Sequence, residues 1–285
     1  MLGLITCSGS NITKEEAKKL GIYLVPLQIN VDGQFYRDQE EISLKKIYNI
    51  IKEGKYPKTA AVLIEDLIKV VKKMKHDLID EAIVLPLCRA FSSTIETMCL
   101  ALKELDIKPY PIDCYVTSLP QKMFVLQAKK LIDEGFNAPT IVKKINEAIK
   151  STDTLIVADD LNYLKQGGRI TPAAAKLGSI MGIKPVLRLH YSLEGKIDTF
   201  AKVRTKSKAI KYMVDYLLEN YSLEDHYFLI CHSDDVKAKK EIENYVKKFN
   251  KDARIISDQF ASVIVCHTGL GCVGVGMLKI VTEVD

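Results

Sequence analysis

Residues 269–274, near the carboxyl end of the chain, spell the motif G-x-G-x-x-G as G-L-G-C-V-G. In dinucleotide-binding folds this motif is followed by a helix, a second strand and an acidic residue about 20 positions later. The 285-residue sequence leaves too few residues after the motif for that unit. We therefore expect these glycines to permit a tight backbone turn near another backbone or a ligand.

His267 directly precedes this turn, at the end of an apolar run, residues 262–267, that we predict as a strand. The carboxyl ends of strands in α/β proteins usually face a crevice, so His267 is a candidate binding residue. A structural histidine bonded to a loop carbonyl is the alternative that the residues leave open. The other histidines show no spacing typical of a metal site.

Hydroxyl side chains cluster where the strands of the first half are predicted to end. Hydroxyls beside a histidine suit a carboxylate, because each donates one hydrogen bond without a charge of its own. The alternative is that several cap helices, as Ser92 or Ser93 would do before Ile95. These hydroxyl residues are Thr6, Ser8, Ser10, Thr59, Ser92, Ser93 and Thr94.

The segment G-G-R-I-T-P at residues 167–172 predicts a sharp turn that presents Arg169. The guanidinium of Arg169 could bind a phosphate or a carboxylate, because its planar group donates two parallel hydrogen bonds. The alternative is that Arg169 is a surface residue or forms an interdomain salt bridge. S-G-S at residues 8–10 lacks the G-x-S-x-G elbow of serine hydrolases, and no P-loop is present.

The composition, 47% apolar and 27% charged with a net charge of +5, is typical of a globular protein. Seven scattered cysteines without a C-x-x-C pair indicate neither a disulfide framework nor a zinc ribbon. Basic residues stand beside acidic ones, which argues against nucleic-acid binding. No apolar run approaches the roughly 20 residues of a membrane span, and the amino terminus lacks a signal-peptide pattern, so we predict a cytoplasmic protein.

Short apolar runs alternate with amphipathic segments throughout, which favours an α/β fold. The clearest helix is Val236–Phe249, and Thr13 with Glu16 forms a capping-box pattern before residues 14–20. We expect one face of Val236–Phe249 to carry Ala238, Ile242, Tyr245, Val246 and Phe249. The predicted strands are residues 2–6, 23–31, 81–87, 109–112, 154–158, 184–189, 227–231, 254–257 and 262–267.

The character of the connections changes near residues 150–152, after the amphipathic run at residues 141–149. At roughly 100–200 residues per domain, the length allows two domains. We place them at residues 1–150 and 151–285, and we expect the ligand in the cleft between them.

Read in order, these segments resemble the DegV family of bacterial fatty-acid-binding proteins over about residues 4–277. The most specific pieces are G-G-R-I at residues 167–170 and I-K-P at residues 183–185. Others are I-T-C-S-G at 5–9, V-P-L at 25–27, Y-R-D at 36–38, P-K-T-A at 57–60, F-S-S-T-I at 91–95, K-V-R at 202–204 and H-T-G-L-G at 267–271.

The resemblance implies a first domain with a parallel sheet in three α/β/α layers, and a second, two-layer domain with a mixed sheet and helices. It implies a long-chain fatty acid in a tunnel of the first domain, its carboxylate bound by Thr59, Ser92 and His267. The residues expected to line the pocket or cleft are Ser8, Gly9, Ala60, Ser93, Thr94 and Gly269.

The family's role is that of a carrier without catalysis, cofactor or metal, which presents the acid to a separate fatty acid kinase. Arg169 and Arg204 are the candidate contacts with the kinase or its phosphate. Transient membrane contact is compatible with this role, and the sequence does not indicate an oligomeric state.

The chain departs from the family pattern near the expected pocket. Three of the changes alter polarity or backbone freedom: Cys7 replaces an Asp, Ala60 a Ser and Ser93 a Gly. Further changes are Gly9 for Thr, Ile95 for Tyr and Leu270 for Pro. Two alternatives therefore stay open, an acyl- or phosphoryl-transfer enzyme and a regulatory protein that has lost the lipid.

Overall fold

The computed structural model describes residues 1–177 and 182–284. In chain order its strands are β1 (Leu2–Cys7), β2 (Tyr23–Val25), β3 (Gln28–Val31), β4 (Gln34–Arg37), β5 (Lys58–Ala60), β6 (Glu81–Val84), β7 (Lys108–Pro111), β8 (Asp153–Val157), β9 (Lys184–Leu189), β10 (Asp198–Val203), β11 (His226–His232), β12 (Ile255–Gln259) and β13 (Val273–Lys279).

The α-helices are α1 (Lys14–Leu20), α2 (Leu44–Lys52), α3 (Ile64–His76), α4 (Thr94–Lys103), α5 (Leu119–Asp133), α6 (Ala138–Lys150), α7 (Asn162–Gln166), α8 (Pro172–Leu177), α9 (Lys206–Asn220), α10 (Val236–Phe249) and α11 (Ser262–Thr268). Short 3-10 helices span Ser8–Ser10 and Tyr191–Leu193. Within the described residues, no helix is long and apolar enough to cross a membrane.

The first sheet is parallel, with the strand order β2-β1-β6-β7. Helices α3 and α4 pack against each other and against the sheet, as do α5 and α6. These two pairs form the helical layers on either side of the sheet. The first half therefore has the three-layer α/β/α arrangement that the family resemblance implied.

Two helices begin where the sequence indicates. The Thr13 hydroxyl accepts a hydrogen bond from the backbone N–H of Glu16, and the Glu16 carboxylate accepts one from the N–H of Thr13, so the capping box opens α1. Helix α10 spans the predicted residues. However, it leaves Tyr245 and Phe249 40% and 66% exposed, because only the face with Ala238, Ile242 and Val246 meets the core.

The prediction of one strand at residues 23–31 is wrong. Strand β2 ends at Val25 in the parallel sheet, whereas β3 belongs to a small antiparallel sheet of order β4-β3-β5. Pro26 stands between them, and proline has no N–H to donate to a strand ladder. The apolar pattern runs across this break, so it does not mark where the chain changes sheets.

The second sheet is mixed, with the order β10-β9-β8-β13-β11-β12. Its pairings are antiparallel except for the parallel pair of β11 and β12. Helices α9 and α10 cover one face, where Leu155, Val275 and Ile230 belong to one buried cluster. The other face shares a continuous core with the first half, to which Leu4, Ile156 and Leu229 all belong.

Residues 262–267 form most of helix α11 instead of the predicted strand. The helix contacts α2, α7, β5 and the 3-10 helix Ser8–Ser10, so it is enclosed on nearly all sides. A short apolar run buried in this way has no polar face, and its periodicity does not distinguish a helix from a strand. His267 consequently lies in the last turn of a helix.

Candidate functional site

A cavity of about 210 Å³ lies between the two halves of the chain. Its wall is mostly apolar, with one arginine, one histidine and a few hydroxyls. The residues that line it are Leu27, Thr59, Ala60, Ala61, Leu87, Phe91, Ser92, Ser93, Thr117, Pro120, Thr154, Ile156, Leu164, Arg169, Leu189, Ile197, Leu229, Cys231, Phe260, Val263, Ile264, His267, Thr268, Gly274, Val275 and Gly276.

Both halves contribute to this wall, and more of its residues come from the second half than from the first. The wall of this cavity is therefore shared between the two halves. Among the described helices, α9 and α10 cover the other face of the second sheet, so the face that carries Ile156 and Leu229 packs against the first half. That face forms one side of the cavity.

Two glycines of β13 open a groove in this face. Gly274 pairs with Ile156 on β8 and with Cys231 on β11. Two residues further along β13, Gly276 pairs with Thr154 on β8 and with Leu229 on β11. Because glycine has no side chain, the groove runs along β13 between the side chains of its neighbours. We call this groove, centred on Gly274 and Gly276, the glycine trough.

The sequence contains a signal for the trough. The segment V-G-V-G at residues 273–276 places glycine at alternate positions of a strand, which leaves one face of the strand bare. The motif at residues 269–274 is therefore a turn followed by β13. Gly269 and Gly271 have φ values of 69° and 73°, and a β-carbon at Gly271 would lie 2.0 Å from an oxygen of the Asp159 carboxylate.

His267 meets Thr59 in the cavity wall. Its Nε2 lies 2.7 Å from the Thr59 hydroxyl, although the two residues are 208 positions apart. Its Nδ1 is buried and has no hydrogen-bond partner among the described residues. Gly167 lies against the ring, since a β-carbon there would be 2.1 Å from Nδ1. The ring position thus depends on a glycine at residue 167.

Burial lowers the pKa of His267 from 6.5 to about 4, and the positive charge of Arg169 adds to the effect. The imidazole is therefore neutral near pH 7. A neutral imidazole carries one N–H, and Thr59 is the hydrogen-bond partner within reach. If Nε2 holds that proton, the imidazole donates to Thr59, and the Thr59 hydroxyl proton is free for a ligand.

Arg169 brings the one positive side chain to the described cavity wall. Its guanidinium donates to the backbone carbonyls of Gly167 and Phe91, which joins the G-G-R-I loop to the segment before α4. Among the described residues no carboxylate pairs with it. Arg204 lies elsewhere, exposed beyond the end of β10 and outside the cavity wall.

Ser92 and Ser93 place the amino terminus of α4 at the cavity. The Ser92 hydroxyl lies 2.6 Å from the Thr94 hydroxyl and accepts from the Thr94 N–H at 3.3 Å. Ser93 occupies the N-cap position, but its side chain makes no capping bond. A helix amino terminus favours a nearby anion, so α4 and Arg169 make this part of the wall electropositive.

Four residues expected to line the pocket are not among those that do. Ser8 accepts a hydrogen bond from the N–H of Leu27, and a β-carbon at Gly9 would press on Leu87, so both lie one layer behind lining residues. Thr94 is buried beneath Ser92, and Gly269 lies against the Tyr163 ring. By contrast, Thr59, Ala60, Ser92, Ser93 and His267 all line the cavity.

In the described part of the chain, no group of three His, Cys, Asp or Glu side chains is placed to hold a metal ion.

The fold and the cavity define a class: α/β proteins with one parallel and one mixed sheet around an internal, largely apolar cavity with a polar, electropositive patch. The chain belongs to the DegV family, since a family model described as "Uncharacterised protein, DegV family" matches residues 1–279. The DegV protein of Bacillus subtilis is 29% identical over 279 residues, covering 96% of this chain and 98% of the relative. A DegV domain-containing protein of Caldanaerobacter subterraneus is 29% identical over 277 residues, covering 96% and 97%.

Solved structures agree in fold. A DegV structure from Bacillus subtilis, described as a fatty acid binding protein, has a TM-score of 0.86 and 27% identity, covering 98% of this chain and 99% of the other. A DegV family protein from Thermus thermophilus, described by its fatty acid binding, has a TM-score of 0.86 and 26% identity with the same coverage.

Proposed function

We propose that this protein binds a long-chain fatty acid in the cavity between its two halves, with the carboxylate at Thr59, Ser92 and His267. The observation that carries the proposal is the composition of a single wall, in which an apolar lining adjoins a cluster of hydroxyl, imidazole and guanidinium groups. The solved relatives described as fatty acid binding proteins support it.

The polar patch suits a carboxylate. In the proposed complex His267 Nε2–H donates to Thr59, and the Thr59 hydroxyl donates to the ligand. Ser92 donates a second hydrogen bond beside the amino terminus of α4. Arg169 supplies the positive charge that balances the anion, a combination that makes charge-assisted hydrogen bonds strong.

The apolar wall suits an acyl chain. Each buried methylene contributes about 0.8 kcal/mol, so the chain supplies most of the affinity and the polar patch sets the direction in which the acid enters. Gly274 and Gly276 are part of this apolar wall.

The same wall argues for binding without catalysis. Of the described residues that line it, none is Asp or Glu, and His267 Nδ1 lies against Gly167. A general base in an acyl-transfer triad needs a group that orients its second nitrogen. The residues around His267 supply no such group.

A test by mass spectrometry addresses the ligand directly. We expect native spectra of the purified protein to contain one equivalent of a small molecule that denaturation releases as a fatty acid. We also expect Thr59→Val with Ser92→Ala to weaken fatty acid binding at least tenfold, because each lost hydrogen bond to a charged group is worth roughly 1.5–3 kcal/mol.

Thr97→Val is the matched control for that double variant. Thr97 lies on α4 and is not part of the cavity wall. Its hydroxyl donates to the Ser93 carbonyl. Its affinity should stay at the wild-type value. Equal affinities for the wild type and the double variant would place the carboxylate elsewhere, and failure of the wild type to bind any fatty acid would overturn the proposal.

We further propose that the protein presents the bound acid to a separate fatty acid kinase, with Arg169 and Arg204 as the contacts. The exposure of Arg204 supports a role toward a partner, and the position of Arg169 in the wall supports one toward the reacting end of the acid. Arg204→Glu should leave fatty acid affinity unchanged and lower kinase-dependent acyl phosphate formation at least tenfold. Unchanged acyl phosphate formation would remove Arg204 from the interface.

The domain limits 1–150 and 151–285 are part of this proposal. Strands up to Pro111 belong to the parallel sheet and the small antiparallel sheet, and strands from Asp153 onward belong to the mixed sheet, which supports a boundary at the end of α6. Each half then supplies one side of the binding cavity.

A further inference from the structure

Ser118, the residue before α5, has a backbone conformation that normally requires glycine. Its φ is 57° and its ψ is −132°, although it carries a β-carbon and is fully buried. Asn11 and Glu194 also have positive φ, but their ψ values of 10° and 30° lie in the left-handed helical region that residues with a side chain can adopt. The conformation of Ser118 is strained, and such strain persists only where the surrounding contacts hold the residue in place.

The side chain of Ser118 reaches from the first half of the chain to the second. Its Oγ accepts a hydrogen bond from the N–H of Ala261 at 3.1 Å. The Ser118 N–H donates to the carbonyl of Gly9 at 3.1 Å, so its backbone is held in the first half. A glycine at residue 118 would adopt the same backbone conformation without strain, but it would lose the bond to Ala261. The side chain that causes the strain is therefore the one that joins the two halves.

Helix α11 begins at this bond. Ala261 is its N-cap residue, and its methyl side chain makes no capping bond. The preceding residue, Phe260, donates its N–H to the carbonyl of His232 on β11, which ties it to the second sheet. Ser118 thus supplies, from the first half, a hydrogen bond that fixes where α11 starts.

The position of α11 decides whether His267 meets Thr59. The helix has seven residues, and His267 lies in its last turn, about 8 Å along the axis from its first residue. A helix this short moves as one body, so a shift at Ala261 also shifts the imidazole. The contact of Nε2 with the Thr59 hydroxyl is 2.7 Å long, and a hydrogen bond weakens steeply when its geometry is disturbed. Since Thr59 belongs to β5, residues of the first half hold α11 at both ends.

We propose that Ser118 is a positioning residue for the carboxylate site: its hydroxyl holds the start of α11 so that His267, at the other end of the helix, meets Thr59. This inference rests on the proposed function and adds to it a residue that acts without touching the ligand. Ser118 is not among the residues that line the cavity. The strain at residue 118 is kept because a relaxed glycine would leave α11 without this bond.

Titration with palmitic acid and with hexadecanol tests the inference, because the alcohol has the same chain length and lacks the carboxylate. Ser118→Gly and Ser118→Ala both remove the hydroxyl. We expect both variants to bind palmitic acid about three- to tenfold more weakly than the wild type, the loss of one hydrogen bond, with the affinity for hexadecanol unchanged. Ser118→Gly should also unfold at a higher temperature than Ser118→Ala, because only the glycine relieves the strain.

Ser10→Ala is the matched control. Ser10 is a buried serine outside the cavity wall, and its hydroxyl donates to the carbonyl of Cys7 within the first half. This variant should unfold at a lower temperature than the wild type and keep the wild-type ratio of the two affinities.

A wild-type ratio in both Ser118 variants, or an equal weakening of the acid and the alcohol, would overturn the inference while leaving fatty acid binding in place. Failure of palmitic acid to bind the wild type would instead overturn the proposed function. If Ser118→Ala does not fold, the comparison of Ser118→Gly with Ser10→Ala decides the question.

Discussion

His267 and Gly167 lie against each other in the candidate site. The imidazole occupies the space that a side chain at residue 167 would need, and Nε2 on the other side of the ring reaches Thr59. Gly167 has a φ of −71°, which any residue adopts, so the requirement for glycine here is one of space and not of backbone conformation. The G-G-R-I motif therefore positions a histidine that is 100 residues away in sequence.

We expect Gly167→Ala to displace the His267 ring, lower the free energy of unfolding by about 1–3 kcal/mol and weaken fatty acid binding. Denaturant unfolding and ligand titration would measure the two effects. Combination with His267→Ala serves as the control, because the alanine methyl then has room and the stability cost should vanish. An equal cost of Gly167→Ala with and without His267 would contradict this account.

At the scale of elements, β13 and α11 decide the shape of the cavity. Strand β13 supplies the glycine trough. Helix α11 contributes Val263, Ile264 and His267 to the same cavity wall. A β-carbon on Gly274 would lie 3.0 Å from the Phe260 ring and 3.1 Å from the Ile156 side chain. The trough is thus closely covered at Gly274.

Gly274→Ala should therefore overpack this point, lowering the free energy of unfolding by about 1–3 kcal/mol and weakening the binding of long acyl chains. Thermal unfolding and titration with stearic acid are the measurements. Phe260→Leu in the same chain should relieve the contact and recover part of the stability. An unaltered unfolding transition in Gly274→Ala would show that the sheet and the ring move apart without cost.

At the scale of the whole molecule, two buried groups at the junction of the halves have pKa values shifted in opposite directions. Burial raises the pKa of Asp38 from 3.8 to about 6, whereas burial and Arg169 lower the pKa of His267 from 6.5 to about 4. As pH falls from 6.5 to 4, the unfolded chain protonates its histidine first, so His267 reduces stability. As pH falls from 6 to 3.8, the folded chain protonates Asp38 first, so Asp38 increases stability.

Removing either group should expose the other effect. We expect Asp38→Asn to lose more stability than the wild type between pH 7 and pH 4.5, and His267→Gln to lose less. Urea unfolding of the three proteins at both pH values would measure the difference. The same loss in all three would mean that neither group governs the acid response.

The sequence predicted most of the elements and the class of fold because local patterns report burial. Alternating apolar runs and amphipathic segments identified β1, β9 and α10, and the capping box identified the start of α1. These features depend on neighbours within a few residues. The family motifs extended the prediction to the two-sheet architecture and to His267, Thr59 and Ser92 as candidate site residues.

Other features were decided by tertiary structure. The run at residues 262–267 is helical because it is enclosed on nearly all sides, which removes the polar face that would have marked its period. The 2.7 Å contact of Thr59 with His267, the dependence of His267 on Gly167 and the hydrogen bond of Ser118 with Ala261 each join groups according to sheet register and packing. The sequence by itself determined which residues are apolar, which carry hydroxyls and where helices begin; only the folded chain determined which of them share a cavity, because contacts between distant residues depend on how whole elements pack together.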